Sequence, residues 1–517
     1  MAVDKQKFIE SVQRDYEFGA PHITVGAAML NGETLAGQLV NIPLKTMNRH
    51  GLVAGATGTG KTKSLQVLAE GLSKNGVPCL LMDIKGDLSG LAQPAAPSDK
   101  VKERAAKIGI DYTPKGFPVE FLTLSHQPGA RLRATVSEFG PVLLSRVLGL
   151  NDTQQGLVAL MFKYADDKQL PLLDLADFKA LLNYIQSEGK EEIAKTYGAV
   201  STTSASTILR KVIELEQQDA SLFFGEPSFD VNDLMRKDLN GHGVLSIIRL
   251  TDIQDKPKLF STFMLSLLAE VYNTLPEAGD LDKPKLCIFI DEAHLIFDEA
   301  SKELLNQLET TIKLIRSKGV GIFFITQSPA DIPSDILGQL GLKIQHALRA
   351  FTANDRKAIK LAAENFPLTE FYKTNDLLLS LGIGEALVTA LSEKGTPTLL
   401  TATLMAPPSS RMDVLTEPEL QQAVSQSAIA TKYNAVVDRR SAYEMLQEKI
   451  KSANDNESDS TAERKTARTQ KEERSTFEQI LKSPVARSIG VAVAGALTRG
   501  LLGSLGVKTR RTTTRRR

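Results

Sequence analysis

The sequence predicts an α/β protein built on a mostly parallel sheet, and three observations carry that reading. Apolar runs of strand length alternate with amphipathic stretches of helix length, the pattern left by parallel strands joined through crossover helices. The runs at 286–290 and 320–326 are almost continuously apolar, as strands must be when helices cover both faces. A glycine-rich loop, Gly55-Ala56-Thr57-Gly58-Thr59-Gly60-Lys61-Thr62, separates one such run (51–54) from a helical stretch at about 61–72.

At 517 residues the chain exceeds what one core usually supports, so two or three domains are expected. Residues 1–45 hold short alternating runs at 22–25 and 35–42, interrupted by Asn31-Gly32 and Gly37. Asn-Gly between such runs signals a hairpin, and a small N-terminal β cap is expected there. Residues 46–129 read as the first part of the core, with strand runs at 51–54, 78–83 and 119–124. From 130 to 240 strand signals become scarce and helical periodicity takes over, for example Val142, Leu143, Val147 and Leu148. Asp174 and Asp177 offer N-cap chemistry, and 202–216 reads as a further helix, so this stretch is a helical insertion.

Residues 241–410 resume the core, with strand runs at 243–250, 286–291, 320–326 and 343–348 and helices at 260–274 and 299–318. Runs at 386–391 and 398–405 flank Glu393-Lys394-Gly395 as a closing hairpin, and 411–451 read as C-terminal helices. Residues 452–475 contain Ala as their only apolar residue and are expected to be a disordered linker. Residues 476–517 read as an Ala/Gly-rich helix with a basic tail. Arg487 and Arg499 cut its apolar stretch too short to span a bilayer. Its small-residue face fits docking on another subunit better than peripheral membrane contact.

An apolar fraction of 42% and a charged fraction of 24% are those of an ordinary globular protein. The net charge of +1 gives no global argument for a nucleic-acid partner and leaves only a local basic channel for that role. Cys79 and Cys287 lie inside apolar runs and form no C-x-x-C pair, which marks them as reduced packing residues. The N-terminal MAVDKQKFIESV is polar, so no signal peptide is visible and a cytoplasmic location is expected.

The glycine-rich loop matches G-x-x-x-x-G-K-[ST] in the strand–loop–helix setting that the pattern requires. Its glycines let the backbone wrap so that successive N–H groups face phosphate oxygens, and the helix that follows adds its positive end. Lys61 is the candidate for the β- and γ-phosphates of ATP, and Thr62 for Mg²⁺. The run 286–290 ends in Asp291-Glu292. There Asp291 is placed to hold Mg²⁺ through water, and Glu292 to orient and deprotonate the attacking water. The run 320–326 ends in Gln327, a candidate sensor of the γ-phosphate. Arg349 is the first candidate for a transition-state arginine supplied to a neighbouring subunit, ahead of Arg356 and Arg316. In Met82-Asp83-Ile84-Lys85-Gly86-Asp87, Asp83 reads either as a contact of the water or Mg²⁺ shell or as part of a solvated turn.

HGLVAGATGTGKT (50–62), MDIKGDLSGL (82–91), IFIDEAHLIF (288–297) and GIFFITQSPADIP (321–333) resemble the HerA–FtsK group of P-loop ATPases. Within that group the chain is most similar to the HerA-like bacterial proteins of the DUF853 family, over most of its length and including LGLNDTQQG (148–156). The resemblance implies a RecA-like core, ring-shaped homo-hexamers, ATP hydrolysis with Mg²⁺, and pumping of DNA or polypeptide through a central channel. By motif it places Lys61 and Thr62 at the Walker A positions, Asp291 and Glu292 at Walker B, and Gln327 after the sensor strand. Arg349 is a looser match to the arginine-finger region. Asp291-Glu292-Ala293-His294 also spells the box of a DEAH helicase, but the following strand ends in ITQ and no QRxGRxGR run follows. The N-terminal region is short for the β-barrel of HerA proteins, and the chain has no Trp for base stacking. DNA translocation, action on a protein partner and a nucleotide-dependent scaffold are the functions to be separated.

Overall fold

Strand β3 (Gly51–Ala54), which enters the glycine-rich loop, lies near the middle of a sheet of twelve strands in the computed structural model. In chain order the strands are β1 (His22–Leu30), β2 (Glu33–Pro43), β3, β4 (Cys79–Asp83), β5 (Val119–Thr123), β6 (Ala130–Arg131), β7 (Leu245–Arg249), β8 (Leu286–Ile290), β9 (Val320–Thr326), β10 (Leu342–His346), β11 (Glu385–Thr389) and β12 (Thr401–Met405). Across the sheet they run β2-β1-β12-β11-β10-β3-β9-β8-β4-β7-β5-β6. Every pairing from β10 to β6 is parallel, and every pairing from β2 to β10 is antiparallel. The structure describes residues 4–297, 302–350, 352–437 and 439–452. The expected linker (but for Ser452) and basic C-terminal helix lie outside the described residues, as does the start of the helix expected at 299–318. The described residues up to 447 belong to one compact unit.

Local chemistry explains the edge hairpin. Asn31 and Gly32 both take positive φ (52° and 81°), the conformation a tight turn needs to match the twist of its strands. The hairpin is continuous with the main sheet, because β1 pairs with β12. Ahead of it, α1 (Lys5–Tyr16) is capped by Asp4, whose carboxylate accepts from the N–H groups of Gln6 (3.0 Å) and Lys7 (3.2 Å). Its stripe Phe8, Val12 and Tyr16 is buried, worth roughly 1.5–3 kcal/mol per side chain relative to exposure.

Helix α2 (Lys61–Lys74) follows the loop, and α3 (Asp99–Ile108) lies in the connection from β4 to β5. Between β6 and β7 come α4 (Val136–Val147), α5 (Asp152–Asp167), α6 (Leu175–Tyr184), α7 (Lys190–Thr196) and α8 (Thr202–Glu216). Asp174 caps α6 by accepting from Ala176 (2.8 Å) and Asp177 (3.0 Å), as its position in the sequence suggests. The sheet core is built from buried apolar side chains. Phe289 and Phe323 stack with centroids 4.8 Å apart, and Cys79 and Cys287 sit opposite each other on β4 and β8, both buried.

His50 ties the amino-terminal end of β3 to its surroundings. Its Nε2 lies 2.8 Å from the Ile312 carbonyl, and its Nδ1 accepts from the Ile322 N–H at 3.0 Å. A carbonyl needs a donor and an N–H an acceptor, so the ring is neutral with its proton on Nε2. Burial lowers its pKa from 6.5 to about 4. A histidine depressed in the folded state contributes stability that is fully present above pH 6.5 and is lost as pH falls from 6.5 towards 4. The expected loss is on the order of 3 kcal/mol. Urea denaturation at pH 7.5 and 5 should give a smaller pH-dependent loss for His50→Asn than for the parent, from a lower starting stability. Equal pH-dependent losses in the two proteins would show that His50 does not drive the acid sensitivity.

Candidate active site

The register of the central strands builds the site. Ala54 is level with Thr326 on β9 and with Gln345 on β10, so three carboxyl tips end together around the loop 55–60. Gly55 N–H donates to the Thr326 carbonyl (3.3 Å) and Ala56 N–H to the Ala347 carbonyl (2.9 Å), pinning the loop between both neighbours. Gly55 has φ +152°, and a Cβ there would lie 2.5 Å from the His346 Cβ, so only glycine fits. Lys61 is 6% exposed, and its Nζ donates to the carbonyls of Gly55 (2.6 Å) and Ala56 (3.2 Å). Burial lowers the Lys61 pKa, the Lys85 ammonium lowers it further, and Glu292 and Asp291 oppose both. Thr62, half-buried, opens α2 beside it.

Asp291 and Glu292 follow the tip of β8, at 4% and 6% exposure. Burial pushes the Asp291 carboxyl up to about 6, with Lys85 pulling against it and Glu292 adding to it. Glu292 takes φ +46°, left-handed for a side chain with a Cβ, a strained conformation of the kind that collects at functional sites. Lys85 ion-pairs with Glu292 Oε1, and His294 Nδ1 lies 3.3 Å from Oε2. Burial acts to raise the Glu292 pKa, but Lys85 outweighs it, with smaller contributions from His294 and Gln327, and the net shift is downward. Gln327 is exposed and faces this carboxylate.

Asp83 is not part of a solvated turn. It is 1% exposed, and its carboxylate accepts from the N–H groups of Gly86 (2.7 Å), Asp87 (3.1 Å) and Leu88 (3.1 Å). Burial pushes it up to about 7 while the amides of Leu88 and Gly86 pull the other way. Asp83 therefore shapes the loop 84–88 that carries Lys85. Arg349 is exposed, just past β10 at the same sheet end as the loop, and Arg356 lies on the helix Ala353–Glu364. Arg316 precedes β9, at the opposite end of the sheet.

Sequence reasoning missed three supports of the loop. His346 at the tip of β10 bonds Ser64 of α2 (2.9 Å), and its Nδ1 lies 3.0 Å from the Glu385 carbonyl. Gly384 N–H donates to the Thr59 carbonyl at 2.9 Å. Arg104 of α3 donates to the carbonyls of Gly384 and Met405, the latter at 2.8 Å. Beside Gly60 and Lys63 a cavity of about 350 Å³ opens between α3 and the β11–β12 side, walled by Ile383, Leu404 and Pro407. Among the described residues no helix is long and apolar enough to cross a membrane.

The family described as Helicase HerA-like C-terminal matches residues 28–511. The DNA double-strand break repair helicase HerA of Sulfolobus acidocaldarius is 22% identical over 357 residues, which is 68% of this chain and 64% of the relative. The match thus spans less than two thirds of that protein's length. Among solved structures, the bacterial conjugative coupling protein TrwBdeltaN70 in its unbound monoclinic form superposes with a TM-score of 0.51 at 16% identity, covering 78% of this chain and 94% of that one. Its trigonal form in complex with sulphate gives 0.50 at 16% identity, covering 79% and 94%. At such identity the likeness shows the fold alone, a RecA-like P-loop NTPase core.

Proposed function

The chain belongs to the HerA-like helicase C-terminal family, and from that premise we propose that it is a Mg²⁺-dependent ATP hydrolase that works as a ring-shaped motor on DNA. The observation that carries the hydrolytic reading is the side-by-side run of β3, β9 and β8, which brings the loop before Lys61 and the pair Asp291-Glu292 to one end of one sheet. A protein that only bound nucleotide would have no use for a buried carboxylate in that position.

The loop amides and the α2 N-terminus would receive the phosphates, and Lys61 would exchange the Gly55 and Ala56 carbonyls for phosphate oxygens. Thr62 and Asp291 offer a hydroxyl and a carboxylate, the hard oxygen donors that suit Mg²⁺. Asp291 enters no ion pair among the described residues. The ion, when bound, would neutralise charge on the transferred phosphoryl group. Glu292 would orient the attacking water and take its proton, with Gln327 beside it. The cavity next to Gly60, where Ile383, Leu404 and Pro407 meet the charged side chains of Lys100, Arg104 and Lys107, would take the nucleoside.

Action on DNA is supported by the printed function of the Sulfolobus relative. The test is ATP hydrolysis by size-defined oligomers with and without duplex or single-stranded DNA. We expect stimulation that weakens as salt rises, because phosphate contacts release counterions. Intact basal turnover that no DNA stimulates at any salt would instead favour a motor acting on a protein partner, the reading to which a net charge of +1 is better suited. In the ring, Arg349 would complete a neighbour's site. Arg349→Ala and Lys61→Ala should each be inactive alone and recover turnover when mixed, by rebuilding intact interfaces. A mixture that stays inactive would favour a role for Arg349 in its own subunit's site, and an active Arg349→Ala alone would remove it from catalysis.

A further inference from the structure

Glu292 is held by a cation for which the hydrolytic reading has no role. Lys85 lies two residues past β4, and its ammonium meets Glu292 Oε1 while His294 faces Oε2. The loop that carries it is fixed on both sides. The Asp83 carboxylate gathers the N–H groups of Gly86, Asp87 and Leu88, and Gln254 Nε2 donates to the Ile84 carbonyl at 2.7 Å. The Lys85 side chain nonetheless keeps 38% of its exposure, so the ammonium can change partner without moving the backbone.

Two further facts bear on which partner it would take. The Lys61 and Lys85 ammonium groups are close enough for the second to discourage the charge on the first. Two cations that repel each other in this way are drawn together by a polyanion that binds both. A carboxylate with a lysine on one oxygen and a histidine on the other is also a poor base, because those lone pairs must receive the proton of water.

We propose that Lys85 is a catalytic gate that holds Glu292 in the nucleotide-free chain and transfers to the γ-phosphate when ATP binds. This rests on the ATPase reading of the site. The transfer frees the Glu292 carboxylate and brings a second ammonium against the phosphoryl charge. The water oxygen then bonds to the γ-phosphorus, the bond from that phosphorus to the β–γ bridging oxygen breaks, and ADP leaves with that electron pair. The proton lost by the water goes to Glu292.

The full chain carrying Lys85→Gln or Lys85→Arg tests this. ATP turnover is measured together with the affinities for ADP and for the non-hydrolysable β,γ-imido analogue of ATP. For Lys85→Gln we expect kcat to fall at least about tenfold, the size of one lost charge-assisted hydrogen bond. ADP affinity should hold, while the preference for the analogue over ADP falls by about the same factor. Lys85→Arg should keep most of that preference. Unchanged kcat with an unchanged preference overturns the proposal, as does equal weakening of both nucleotides, which would mark a merely structural loop. A faster Lys85→Gln also overturns it, since Lys85 would then be only a brake. The affinity ratio reads Lys85 even in a chain that does not turn over. Absence of turnover in the wild type would count against the ATPase reading instead.

Discussion

Lys61→Ala is expected to lower ATP turnover by at least about 10²-fold, the cost of deleting one preorganised group that meets transition-state charge, and to abolish the thermal stabilisation that ATP gives the parent. The reason is positional. The Lys61 ammonium is buried at 6% exposure and is held by the Gly55 and Ala56 carbonyls, so it is aimed across the loop. The fold should tolerate its loss. The loop keeps its anchors to Thr326 and Ala347, and Ala56 is only half-buried, so water can reach at least one released carbonyl. Lys61→Arg should fail as well, because a planar fork cannot occupy the place of a compact ammonium under a tight loop. Phosphate release and melting temperature with and without ATP measure both effects, a bound ligand raising stability in proportion to its affinity. Turnover within about tenfold of the parent would remove Lys61 from the centre of the site.

The sequence made contiguous chemistry legible. The loop 55–62, the apolar strand that ends in Asp291-Glu292, the Asn31-Gly32 turn and the Asp174 cap each depend on neighbours within a few residues, and each can be read without the fold. Lys85 could not be read in that way. It reaches Glu292 only because β4 lies directly beside β8 in the sheet, although the two are about two hundred residues apart in the chain. The stretch 82–87 drew attention to Asp83, but that carboxylate turned out to bind its own backbone and to present the lysine. The same non-local geometry hides His346, which serves the loop because β10 pairs with β3. It also hides the chain from Arg104 through Gly384 to Thr59. The edge strands β1 and β2 illustrate the point at the level of topology, since alternation and a turn predict a hairpin but not the strand it will pair with. Arginine fingers are the hardest case, because a residue such as Arg349 would act on a site in another copy of the chain.

Glu292→Gln should separate binding from chemistry. The amide keeps the shape of the carboxylate but cannot accept the water's proton, and loss of a positioned general base typically costs about 10²–10⁴-fold. Nucleotide affinity should be retained, since the phosphate groups meet Lys61, Thr62 and the loop amides rather than Glu292. The variant should also fold. Lys85 loses its ionic partner, but that side chain is 38% exposed and water can solvate it. The left-handed backbone at position 292 places the same demand on Gln as on Glu. Single-turnover hydrolysis, equilibrium binding of ATP and size-exclusion chromatography in the presence of ATP together measure the outcome, which should be an ATP-loaded, slowly turning assembly. Hydrolysis at the parental rate would show that the base lies elsewhere, and Asp83, pushed up to about 7 by burial, would be the next carboxylate to replace. Loss of ATP binding would instead mean that the carboxylate shapes the phosphate site itself.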